Sequence, residues 1–246
     1  MAMVEAVSMG SSSRAGAASD RSRFGLTLAL WGALVLGLNG LTWLTGFRTG
    51  PLTEGVEQGA ARVESRGVGE VSDDLIRRAI QTQHDTLSFW TTLAWLGDFL
   101  VEPLTLAARA LAAATLFASV AALVGRPVRY ELALSECATA QGFWVLGLAV
   151  QVALMIALRR SDIETSPTLL LPAGVYPAAA WLALRQLDLF AVLGWGVLAR
   201  GGWRRGQVNL ATAVLICALL WLVEAAARIT FGLVLGSGAR LVIVPG

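Results

Sequence analysis

The chain has 246 residues, 56% of them apolar and 15% charged, against about 25% charged in soluble domains, and its mean hydropathy of +0.65 is that of a membrane protein. All 19 basic residues are arginine and face 17 acidic ones, a net +2 that gives no case for a nucleic-acid partner. Two cysteines, one histidine and no lysine exclude a disulfide framework, a His- or Cys-rich metal site, a lysine Schiff base and a Walker-type phosphate clamp, so neither metal nor cofactor is expected.

Residues 1–23 hold no aromatic and no long apolar run, and are dominated by Ser, Ala, Gly and scattered charge around Ser11, Arg14, Arg21 and Arg23, a composition that predicts a disordered cytoplasmic N-terminus. From Phe24 to Phe47 the chain is almost wholly apolar, and 24 residues at 1.5 Å each cover about 36 Å, enough for a hydrocarbon core of about 30 Å. This first span is too long for a signal-peptide core and no small-x-small site precedes Arg48, so it reads as a retained anchor. Residues 48–88 carry five arginines, seven acidic groups and the turn formers Gly50, Pro51, Gly55, Gly59, Gly67 and Gly69, and read as an external aqueous loop. Within it, Val71, Leu75, Ile76 and Ile80 lie at helical spacing opposite Asp73, Asp74, Arg77 and Arg78, the pattern of a short amphipathic helix near the membrane surface.

Residues 89–240 supply the remaining spans: Phe99–Val124, Ala133–Leu158 and Val208–Leu235, with a harder stretch from Thr168 to Leu198. Pro172, Pro177, Arg185 and Asp188 interrupt that stretch, and Asp188–Arg200 alone covers only about 20 Å. It is either one helix or, as favoured here, a broken one whose second part starts at an Asp188 N-cap. The fold class is therefore an all-α integral membrane protein, a five-span helical bundle with an external loop carrying an amphipathic helix. Short arginine-bearing turns stay in the cytoplasm. Arg126 and Arg129 follow the second span and Arg200, Arg204 and Arg205 the fourth, which sets the N-terminus inside and the C-terminus outside.

Three segments carry a likeness to a known family: the turn Gly125-Arg-Pro-Val-Arg-Tyr130-Glu-Leu-Ala-Leu134, the Ser-Pro-x-Leu-Leu run from Ser166 to Leu170, and Leu187-Asp188-Leu189-Phe190 followed by Trp195. Together they resemble the Yip-domain family of Ypt/Rab-interacting membrane proteins, in its bacterial branch, over roughly residues 24–236. Pro127 and Val128 depart from the lysine or serine common in the family's turn. The resemblance implies a membrane-traffic scaffold in the eukaryotic branch, but residues 1–23 hold no recognisable GTPase-binding segment. The all-arginine usage with abundant Ala, Leu and Gly points to a GC-rich bacterial genome, and hence to the inner membrane.

Polar residues within spans are the candidates for function. Asp98, Glu102 and Arg109 belong to the second span and its edge, Glu224 and Arg228 to the fifth, and Gln151 and Asp188 lie at similar depth. Glu102 and Arg109 are two turns apart on one face, and Glu224 and Arg228 are spaced i,i+4 in the favourable order, so the seven could meet in one outer-half cluster. The functional reading is a vestibule for a small ion or solute. The plainer reading is structural ion pairs and snorkelling arginines, and it is favoured because the inner half offers only Asn209, Gln141, Glu136 and Thr139. Ala110, Ala114, Ala118 and Ala122, and Gly232-x-x-x-Gly236, permit close helix packing. Cys137 and Cys217 read as small core residues, His84 as a surface residue, and Trp43, Trp90, Trp95, Trp181 and Trp203 as an aromatic belt. No nucleophile–base pair is visible. The expected function is a non-enzymatic scaffold or accessory subunit whose partners are the lipid bilayer and a membrane protein or second copy, with small-solute or ion permeation as the alternative.

Overall fold

The computed structural model describes residues 2–67, 72–161, 163–170 and 178–243. Among these residues regular structure is helical throughout. Helix α1 (Ala2–Leu44) contains the apolar stretch Arg23–Leu44. It begins ahead of that stretch, where a disordered tail was expected over 1–23; extending an existing helix needs no new nucleus. Gly46 stops it at φ 78°, its N–H bonded to the Trp43 carbonyl at 3.2 Å, the left-handed termination that glycine adopts without a Cβ penalty.

Within residues 48–88, expected as an external loop with one amphipathic helix, the chain forms two helices, α2 (Thr49–Gly67) packed against α3 (Asp73–Leu96). Pro51 falls in the first turn of α2, where its missing N–H has no intrahelical partner to lose. Gly59 is used for packing, not turning: a Cβ there would come 2.7 Å from Gln83 Nε2. Val56, Gly59, Ala60 and Gln83 are buried between the two helices. The expected amphipathic helix is thus α3, in which Gln83 is buried, Ile76 and Ile80 are half-buried and Leu75 is exposed. Val71, which opened that expected helix, lies outside the described residues.

A π-helical turn (Gly97–Val101) leads from α3 into α4 (Glu102–Leu123), and the helix Asp73–Leu123 is continuous over 51 residues. Helices α5 (Tyr130–Ala140) and α6 (Gly142–Leu158) make up one apolar stretch of 29 residues. A 3₁₀ turn (Pro167–Leu170) precedes α7 (Ala178–Arg185), and α8 (Leu189–Arg204) follows it at a bend of 55°. The Thr168–Leu198 stretch is therefore broken, although Pro172, Val175 and Pro177 lie outside the described residues. Helix α9 (Leu210–Ile243) carries the last apolar stretch, Leu210–Val234. Among the described residues four helices are long and apolar enough to cross a membrane, or five if α7 and α8 count as one span.

The chain divides into two compact units. The first comprises residues up to Val35, Pro103–Leu148 and Leu189–Val223, and it holds the hydrophobic core. Ala110, Ala113 and Ala114 of α4 are fully buried there, as are Phe117, Ala133 of α5 and Ala213 of α9. These small side chains let helices approach closely. Gly202 of α8 lies against Phe117, and Gly142 against Trp31. Cys137 and Cys217 are buried in this core. The second unit comprises Leu36–Glu102, Ala149–Asp188 and the chain from Glu224 onward. It contains the α2–α3 hairpin and the α7 segment, whose Leu182 approaches Gly232 of α9.

Candidate functional site

The π turn aims Asp98 and Glu102 at the end of α1. Asp98 is bound side-on by Arg48, Nε to Oδ2 at 2.7 Å and Nη2 to Oδ1 at 2.8 Å, and it also accepts from Trp43 Nε1 at 2.9 Å. The forked guanidinium matches both carboxylate oxygens, the strongest geometry available to such a pair. One step along the helix, Glu102 Oε2 accepts from Asn39 Nδ2 at 2.7 Å. Arg228 donates to Glu224 Oε1 at 2.8 Å, the i,i+4 contact expected from their spacing.

Arg109 follows a different course. It belongs to the first unit, is 6% exposed, donates from Nη1 to Gln141 Oε1 at 2.9 Å, and lies 4.2 Å from the Trp144 ring centroid. Trp195 sits edge-on to Trp144 and 5.9 Å from the same guanidinium. Gln141 and the two indoles offer the guanidinium one acceptor and two π faces.

A third group closes the connection after α6. Gln151 Nε2 donates to the Ile163 carbonyl at 2.8 Å, and Thr165 Oγ1 donates to Asp188 Oδ2. Arg185 pairs with Glu164 at 2.7 Å, and Thr168 Oγ1 donates to the same carboxylate at 2.9 Å. Asp188 directly precedes α8, the N-cap position anticipated for it.

Sequence reasoning overlooked Asn39, Trp43, Arg48, Trp144 and Trp195 as partners in these networks. Asn39 was within reach, because a carboxamide amid Leu and Gly in an apolar span needs a hydrogen-bonding partner. It also passed over Arg205, whose side chain is 5% exposed, contacts Glu136, donates from Nε to Gln207 at 3.1 Å and lies over Phe117. Chemically, these groups are carboxylates held by guanidinium, amide and indole donors. Among the described residues no three His, Cys, Asp or Glu side chains gather as a metal-binding group.

Fold and site together define a class: an all-helical protein whose long apolar helices suit a membrane and whose polar residues are joined in side-chain networks. Compared with protein-family models, curated proteins and solved structures, the chain finds no match in any of the three.

Proposed function

We propose that the chain is a non-enzymatic multi-pass membrane protein, a Yip-like scaffold or accessory subunit of a complex in a bacterial inner membrane. The observation that carries this reading is how polarity is used within the protein. Asp98 binds Arg48 and Trp43 and Glu102 binds Asn39, contacts between separate segments, while Arg228 binds Glu224 within α9, the internal pairing expected of polar groups with a structural role in a membrane. In this reading α7 and α8 count as one span, giving five, with the N-terminus cytoplasmic and the C-terminus external. The 51-residue helix would measure about 77 Å against a hydrocarbon core of about 30 Å. The α2–α3 hairpin then stands in the external phase, where a partner can reach it.

A second reading, permeation of a small solute or ion, has one specific support: the 55° break between α7 and α8, since broken helices mark binding sites in transporters. Reconstitution in sealed proteoliposomes separates the two. A scaffold leaves ion and solute leak at the level of protein-free vesicles and retains a stoichiometric partner through purification from native membranes. A flux proportional to protein, abolished by Asp188→Asn, replaces the scaffold with the permeation reading. Orientation is tested by impermeant thiol labelling of intact cells. A cysteine at Ser72 should label and one at Ser12 should not; the reverse pattern inverts the topology.

A further inference from the structure

In the π turn the main-chain ladder is shifted by one residue, so the Glu102 N–H bonds to the Gly97 carbonyl, five residues back. In that register the carbonyl of Asp98 would take its hydrogen from residue 103. Residue 103 is proline and has no N–H to give. An α-helical register is no remedy, because there the Pro103 ring meets the carbonyl of Phe99, four residues back.

The Asp98 carbonyl is served from another helix: Asn39 Nδ2 donates to it at 2.7 Å. The same amide nitrogen also bonds Glu102 Oε2 at 2.7 Å, so one NH₂ group spans the turn from its first residues to its last. Asn39 is 4% exposed, which keeps water from taking its place. Asp98 is half-buried, and a carbonyl drawn out of water without a donor is costly, the more so at membrane depth.

We propose that the α3–α4 junction is a latched hinge, in which Pro103 opens the helical ladder and Asn39 of α1 closes it. A small displacement of α1 withdraws both hydrogen bonds at once. The turn is then free to change register, which rotates the residues preceding it by about 100° around the helix axis. The first span thereby controls the orientation of Asp98, and with it the Arg48 and Trp43 contacts.

The test is hydrogen–deuterium exchange of the purified full-length protein in nanodiscs, read on peptides covering residues 97–105. In N39L, whose side chain keeps the same branched skeleton but donates nothing, the amides of the turn should exchange about tenfold faster than in the parent, while α2 keeps parental rates. In N39L/P103A the restored N–H of residue 103 makes the latch unnecessary, and exchange should return to within about twofold of the parent. Parental exchange in N39L overturns the proposal, and so does a double variant as fast as N39L. If N39L does not fold, P103A alone decides: exchange slower than in the parent supports the hinge, and exchange unchanged or faster overturns it.

Discussion

The guanidinium of Arg109 sits over Trp144 with its central carbon 4.2 Å from the ring centroid, while Nη1 reaches Gln141 at 2.9 Å. A lysine at this position would keep the charge but lose both the planar stacking surface and the fork. Arg109→Lys should therefore lower the stability of the detergent-solubilised protein by about 2 kcal/mol, the upper part of the range for a desolvated cation–π contact. Arg109→Met, which removes the charge and fills the space, should cost less than the lysine, because no buried cation is left without its partners. Thermal melts by intrinsic fluorescence rank the two, and a lysine variant that melts with the parent refutes the stacking account.

Gly202 and Gly196 lie on the same helix and should respond oppositely to alanine. A Cβ at Gly202 would sit 2.7 Å from Phe117 Cε1, and Phe117 is fully buried. Overpacking of that kind costs about 1–3 kcal/mol. At Gly196 nothing lies within 4 Å, so alanine gains about 0.5–1 kcal/mol from reduced backbone freedom. Equal melting temperatures for the two variants would contradict the close approach of α4 and α8.

Glu224 and Arg228 form their i,i+4 pair at 2.8 Å. Glu224→Gln leaves the arginine unbalanced and should lower the melting temperature, whereas changing the pair to Gln and Met should recover much of the loss, since breaking a pair costs more than replacing it. The measurement is a double-mutant cycle in one detergent. A double variant no better than the worse single one argues against any coupling between them.

Asp188 combines two duties, occupying the position before α8 and accepting from Thr165. Asparagine caps as well as aspartate and retains an acceptor for the hydroxyl. Asp188→Asn should then fold like the parent, while Asp188→Leu should lose about 0.5–2 kcal/mol. Chemical denaturation in mixed micelles reads this directly. A marked loss in the asparagine variant would mean that the charge itself is needed.

Which segments are helical and apolar was legible in the sequence because both depend on local composition and length. The runs 24–47, 99–124, 133–158 and 208–235 are helical over most of their length, and the interrupted stretch before Leu198 is bent where Asp188 stands. The hairpin was not legible, because Gly55 and Gly59 have the same one-dimensional signature whether they turn a loop or let a helix come close. Only the tertiary structure, by setting Gln83 beside Gly59, decides between them. The polar residues followed the same division. The i,i+4 pairing of Glu224 with Arg228 is a property of one helix and could be read from spacing. The partners of Asp98, Glu102 and Arg109 come from other helices 32 to 63 positions away, and helical periodicity places a residue on a face without saying what that face meets. A π turn adds about 100° to the phase between α3 and α4, enough to undo any prediction of shared faces carried across Gly97–Val101. Composition thus determined the solvent these helices suit, while packing between distant segments determined which charges they bring together.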